Sequence, residues 1–196
     1  MRGKTFIISG PSGVGKSTVL KELLQRRDMY FSVSATTRTP RTGEVDGVHY
    51  HFVDVEAFRR MIDEDALLEH AEYVGNYYGT PKRYVDEAMD AGRDVILEIE
   101  MQGARQVCAK RPETIRIFIA PPSWEELERR LVTRGTDAPE KIAQRLRQAR
   151  VELENAGEYD YMVVNETVEK AAEEVAAIIC AEHCRVDDRL ETILKK

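Results

Sequence analysis

The chain has 196 residues, of which 42% are hydrophobic and 33% charged, with a formal net charge of −6. That length and composition suit one sizeable soluble core, with or without a small insertion, and the acidic balance argues against a general binder of polymeric nucleic acid, which needs a basic surface. No apolar run is long enough for a bilayer, no apolar leader precedes the first strand, and three cysteines suggest no disulfide framework, so the expectation is a cytoplasmic protein with no membrane partner.

Lys4 to Ser9 reads as a buried strand and Lys16 to Arg27 as a helix, followed by a short strand from Tyr30 to Val33. From Ser34 to about Ala91 the chain turns more polar and tyrosine-rich. Val48, Tyr50 and Phe52 alternate with His49, His51 and Val53, which predicts a half-exposed strand in an inserted subdomain with an antiparallel or mixed sheet. Asp94 to Glu100 (DVILEIE) is a second strong strand, followed by Gly103 and a helix to about Lys110. Ile115 to Ala120 (IRIFIA) is a third, followed by two prolines and a helix from Ser123 to Arg134. Gly135 reads as a flexible joint, and the capping-box spacing of Asp137 and Glu140 predicts a new helix there. Tyr161 to Asn165 is a fourth strand, with a helix from about Val168. Strands alternating with helices predict a parallel α/β sheet covered on both faces.

The first chemical signal lies between the first strand and the first helix. Gly10-Pro11-Ser12-Gly13-Val14-Gly15-Lys16-Ser17, followed by Thr18, fits G-x-x-x-x-G-K-[ST] in full. Small residues let backbone N–H groups approach phosphate oxygens, and the helix behind them contributes the positive end of its dipole. Lys16 is placed to reach the β- and γ-phosphates of a nucleotide, and Ser17 to offer a hydroxyl to Mg²⁺. Such a loop does not say what receives the phosphate. The Asn-Lys-x-Asp segment with which a GTPase would read guanine does not occur in the chain.

A second anion site is expected in the insert. Arg38 and Arg41 bracket a proline, guanidinium forks suit phosphate oxygens, and Ser34 and Tyr50 can add hydroxyls; a solvated basic turn is the alternative. Glu69 sits among apolar residues, where a carboxylate wants donors. Guanine offers N1–H and an amino group side by side, whereas adenine would leave the acid unpaired. On composition alone a plain surface carboxylate is an equal alternative. Glu98 and Glu100, two apart on a predicted strand, point to one side at its carboxyl end, where ligands bind in open α/β sheets.

The phosphate loop, S-A-T-T-R-T-P-R-T-G-E from Ser34, L-L-E-H-A-E-Y-V-G-N-Y-Y-G-T-P from Leu67, L-E-I-E-M-Q-G, R-G-T and V-V-N together resemble the guanylate kinase family over nearly the whole chain and in the family's order. The resemblance implies an α/β P-loop NTPase fold: a three-layer core at residues 1–33 and 92–196, a helical lid at about 129–150 within it, and a GMP-binding insert of mixed sheet at 34–91. It implies ATP-dependent, Mg²⁺-assisted phosphorylation of GMP, and of dGMP, in purine nucleotide metabolism. By motif position Ser34, Arg38, Arg41, Tyr50 and Tyr78 hold the GMP phosphate, Glu69 and Thr80 read guanine, and Glu98 and Glu100 contact or orient the acceptor. Arg134 and Arg145 become lid arginines acting on the transferring phosphoryl group, and Asn165 lies near adenine. Donor and acceptor pockets are expected to face each other across one cleft. The family often has serine at Thr80, and acidic residues after the asparagine where this chain has Glu166-Thr167. Phosphoprotein-binding scaffolds of this type, sugar-phosphate kinases and plain ATPases are the alternatives. His49, His51, His70 and His183 show no metal spacing, the Cys180–His183–Cys184 segment reads as helix, and Trp124 reads as a packing residue. Monomer and homodimer both stay open.

Overall fold

In the computed structural model, which describes residues 2–133 and 138–194, all five residues of Thr5–Ser9 are buried and form β1. A glycine turn leads into α1 (Lys16–Arg26), and the short strands β2 (Tyr30–Phe31), β3 (Ala35–Thr36) and β4 (His51–Phe52) follow. Asp54 caps α2 (Val55–Asp63), its side chain accepting the Ala57 N–H at 2.6 Å. The hairpin β5 (Leu67–Tyr73) and β6 (Asn76–Pro81) leads to α3 (Lys82–Asp90), β7 (Val95–Glu98) and α4 (Met101–Lys110). Then come β8 (Ile115–Ala120), α5 (Trp124–Thr133), α6 (Pro139–Glu154) and β9 (Tyr161–Val164). Thr167 caps α7 (Val168–Glu182), and α8 (Val186–Leu194) ends the described chain.

The strands form two sheets. One is five-stranded in the order β2-β7-β1-β8-β9, with β2–β7 and β8–β9 both parallel. Its strands are near-continuous apolar runs, as expected where helices cover a parallel sheet. The other is four-stranded in the order β4-β3-β6-β5 and mixed: β3 runs parallel to β4, and β6 runs antiparallel to both β3 and β5. The expected parallel sheet plus a separate mixed sheet is therefore the architecture found. No helix among the described residues is long and apolar enough to cross a membrane.

Packing divides the chain into two compact units. In the first, Ile8–Asp28 with Arg116–Lys196, α1 buries Val19, Leu20 and Leu23, and α7 buries Ala171, Ala172, Val175 and Ile179. Leu127, Leu131 and Ala149, flanked by Trp124, Ile142 and Leu146, bind α5 to α6, so Trp124 packs as expected. In the second unit, Arg2–Ile7 with Met29–Ile115, Ala35, Phe58 and Leu67 form a small core closed by Val53, Met61, Ile62 and Tyr77.

Several element boundaries differ from expectation. Only His51–Phe52 of the alternating segment is strand. Val48 and His49 turn instead, their N–H groups both bonding the Val45 carbonyl. The strand predicted from Asp94 to Glu100 stops at Glu98. Glu100 is the N-cap of α4, whose first residue is Met101, so Gly103 lies inside the helix and the same-strand argument for Glu98 and Glu100 does not hold. The helix expected from Ser123 begins at Trp124, with the Ser123 hydroxyl accepting the Glu126 N–H at 3.2 Å. The helix expected near Asp137 starts at Pro139 with Ala138 as its N-cap, because proline's fixed φ and missing donor suit the first turn. Arg134, Gly135 and Asp137 lie outside the described residues.

Candidate active site

In the first unit the phosphate loop is shaped by its glycines and by two side chains that reach it from later in the chain. Gly10 leaves β1 at a φ of 146°. A Cβ there would lie 2.2 Å from the Ile119 carbonyl oxygen of β8. Gly15, at a φ of 95°, caps α1, and a Cβ there would lie 2.7 Å from the Asn165 amide nitrogen. Replacing Gly10 with alanine meets both a forbidden backbone region and a main-chain atom that cannot move without parting the strands. The expected cost is about 2–4 kcal/mol of folding stability, measured by urea unfolding.

Between these glycines Pro11, Ser12, Gly13 and Val14 make the turn, the Val14 N–H bonding the Pro11 carbonyl at 3.2 Å. The Val14 side chain is wholly buried, and its carbonyl accepts from Asn165 Nδ2 at 2.7 Å and Arg130 Nη1 at 3.2 Å. Arg130 also donates to the Asn165 carbonyl at 3.1 Å and to Glu126 Oε1 at 2.7 Å. Arg129 and then Arg130 hold the Glu126 carboxyl at about 2, so the anchor is charged at any working pH. The Lys16 ammonium lies on the Gly10 and Pro11 carbonyls. Ser17 and Thr18 follow in the first turn of α1, where Thr18 and Val19 donate to the Gly15 carbonyl. A pocket of about 440 Å³ adjoins the loop, lined by Gly13, Gly15, Thr18, Arg130 and residues 165–168.

Asn165, expected near a base, lines this pocket and also spends its amide on the loop carbonyl. Arg145 is half-buried on α6; Arg134 is not among the described residues. Arg130, next to Arg129 on α5, has no role among the sequence expectations. The i,i+4 spacing from Glu126 was visible there; the reach to Val14 and Asn165 was not.

In the second unit the arginines and the acid are organised separately. The Arg38 guanidinium forms a fork with Glu44, Nη2 to Oε1 at 2.8 Å and Nη1 to Oε2 at 3.0 Å, and donates to the Thr39 carbonyl at 2.8 Å. The Arg41 N–H bonds Glu44 Oε2 at 2.7 Å. Both side chains of the fork are largely covered, at 14% and 18% exposure. Arg38, and next the Arg41 N–H, hold the Glu44 carboxyl down at about 2 from its usual 4.5. The pair is thus intact above the usual carboxylate range and is lost only as pH falls toward 2. Arg38 lies 5.4 Å from the Tyr50 ring centroid, and Tyr50 meets Tyr78 edge-on at 6.1 Å. The Ser34 carbonyl accepts the His51 N–H at 2.9 Å, which places Ser34 beside β4. The structure thus brings Arg38, Tyr50 and Tyr78 together and adds Glu44. The sequence reading quoted Glu44 without assigning it; its three-residue spacing from Arg41 was the available signal.

Glu69 is 7% exposed and sits at a bulge in β5, where the register with β6 slips between Leu67 and His70. The Thr80 hydroxyl, itself 1% exposed, donates to Glu69 Oε1 at 2.6 Å. Burial raises the Glu69 carboxyl above its usual value; the Thr80 hydroxyl and N–H oppose this, the Glu100 charge adds to it, and Lys110 draws it down. Glu98 ends β7 half-buried, and Glu100 is exposed at the head of α4.

A glycine phosphate loop between a buried parallel strand and a helix, with a separate arginine–tyrosine–carboxylate site on a small mixed sheet, defines a P-loop kinase of the nucleoside monophosphate class. The guanylate kinase family model matches residues 2–182. A guanylate kinase of Streptococcus agalactiae is 57% identical over 188 residues, covering 95% of this chain and 90% of that protein. One from Thermus thermophilus is 51% identical over 199 residues, covering 100% and 90%. The crystal structure of guanylate kinase from Anaplasma phagocytophilum is similar at a TM-score of 0.74 and 36% identity, over 94% of this chain and 88% of that one. The chain belongs to the guanylate kinase family.

Proposed function

We propose that this chain transfers the γ-phosphoryl group of ATP in line to a phosphate oxygen of GMP or dGMP, giving ADP and GDP or dGDP, as a cytoplasmic enzyme of purine nucleotide metabolism. The observation that carries the acceptor assignment is Glu69: a buried carboxylate with one flank occupied by the Thr80 hydroxyl, which leaves it wanting the paired donors of a guanine edge. Arg38, Arg41, Tyr50, Tyr78 and Ser34 hold the acceptor phosphate, with Glu44 keeping the Arg38 fork in one orientation. Glu98 and Glu100 contact or orient the acceptor.

On the donor side residues 10–18 bind the ATP phosphates through loop N–H groups (Pro11 has none, and those of Val14 and Thr18 bond within the loop) and through the Lys16 ammonium, and the pocket beside Asn165 takes the adenosine. Residues 1–33 and 92–196 act as the core, 34–91 as the acceptor-binding insert, and 129–150 as a lid whose Arg145 and Arg134 neutralise the moving phosphoryl group. The Ser17 hydroxyl, with phosphate oxygens and water, is an all-oxygen donor set suited to Mg²⁺. The ion, when bound, offsets charge on the phosphates. A lid that closes also keeps water from competing as acceptor.

ADP release measured with GMP, AMP, CMP and UMP tests this directly. GMP should be preferred over AMP by about 10³ or more in kcat/KM, and equal turnover of AMP contradicts the assignment. A pH series adds a second check. Guanine needs Glu69 ionised, and its pKa is raised, so acidification should raise the KM for GMP through a group titrating above the usual carboxylate range. Glu69→Gln should abolish that step while leaving the titration of the GMP phosphate itself, near pH 6, in place.

A further inference from the structure

Gly103 is the third residue of α4, at a helical position with ordinary backbone angles, where alanine is the better helix former. What leaves no room for a side chain is Glu69. A Cβ on Gly103 would stand 2.9 Å from Glu69 Oε2 and 3.3 Å from both its Cδ and its Cγ. The acid has little freedom to withdraw. Its other oxygen accepts the Thr80 hydroxyl. The strand on either side of it is tied to the same helix: Gln106 bonds the His70 N–H at 3.1 Å and carbonyl at 3.0 Å, and Lys110 donates to the Leu67 carbonyl at 2.7 Å. Gly103, Gln106 and Lys110 are spaced three and four apart, so they share one helix face.

We propose that this face of α4 is a specificity-positioning element. Gln106 and Lys110 fix the bulged strand, and the missing Cβ of Gly103 is the notch that sets the orientation in which Glu69 meets the base. The inference rests on the reading of Glu69 as the base-recognising acid. It assigns to Gly103 a control over base selection without contact to the reacting atoms.

The test compares kcat/KM for GMP and for IMP, which keeps N1–H but lacks the 2-amino group, in the wild type and in Gly103→Ala, with thermal melting of both. The wild type should prefer GMP. In Gly103→Ala that preference should fall by about tenfold or more, while the KM for ATP stays within about twofold, since the ATP-binding residues are untouched, and the melting temperature falls, because the added Cβ presses on a held acid. A merely structural glycine would also lower the melting temperature but leave the base preference alone. If the wild type does not separate GMP from IMP, the Glu69 reading fails and this inference with it. If the wild type does and Gly103→Ala keeps the full preference, Glu69 stands and the role of Gly103 is overturned. Should Gly103→Ala not fold, Gly103→Ala/Glu69→Asp, whose acid is one methylene shorter, should regain a cooperative melt; a double variant that also fails to fold overturns the notch.

Discussion

Glu69→Gln should lower kcat/KM for GMP by about 10³-fold while changing the KM for ATP by no more than about twofold. An amide in place of the carboxylate keeps one acceptor but turns a donor toward a donor on the guanine edge, so one hydrogen bond becomes a repulsive contact and another weakens. The Thr80 hydroxyl, which donates to Glu69 Oε1, can still donate to the amide oxygen, which would then divide its two lone pairs between Thr80 and guanine. Folding should not suffer. The carboxylate is buried with its pKa raised, so its charge opposes folding at neutral pH, and a neutral isostere should melt at the same temperature or slightly higher. Initial-rate kinetics with GMP and AMP, alongside a thermal melt, separate loss of selectivity from loss of structure.

Lys16→Met should reduce kcat by about 10²–10³-fold, the range seen when one preorganised charge-stabilising donor is removed. The ammonium rests on the Gly10 and Pro11 carbonyls, so it is already held beside the amides that the sequence pattern assigns to phosphate binding. Those carbonyl contacts also lend the loop some rigidity. The Gly10 turn, the buried Val14 side chain and the Asn165–Arg130 anchor should nevertheless keep the loop in place, so a drop in melting temperature of only a few degrees is expected from the loss of one or two partly buried hydrogen bonds. Binding of ATP measured by calorimetry should weaken far less than turnover, because the proposed site takes most of its phosphate contacts from main-chain amides.

The parts of this protein that the sequence made legible are those where a single local rule is strong. The apolar runs of β1, β7 and β8, the glycine pattern before α1 and the Pro-Pro break before α5 each follow from periodicity or backbone chemistry within a few residues. The misreadings fall where tertiary packing outvotes a local pattern. Val48 and Tyr50 alternate like a strand, yet β3 offers β4 only two partners, so the rest of the segment turns. Glu100 looked like a strand residue until α4 began at the next position. Two further relationships connect residues far apart in the chain: Asn165 and Arg130 on the Val14 carbonyl, and Gly103 against Glu69. Neither leaves a trace in local spacing. Glu44 is intermediate, since its distance from Arg41 permitted the pairing but only the fold shows the carboxylate claiming the Arg38 fork as well.

The central claim is that one protein binds an adenosine polyphosphate on its glycine loop and a guanosine phosphate on its arginine–tyrosine site, and uses both at once. Calorimetric titration with adenosine and guanosine joined 5′ to 5′ through five phosphates tests it most directly. One molecule engaging both sites should bind at least about 10²-fold more tightly than ATP or GMP alone, with a stoichiometry of one, and both Lys16→Met and Arg38→Met should weaken it. An affinity no greater than that of ATP, unchanged by Arg38→Met, would contradict the account.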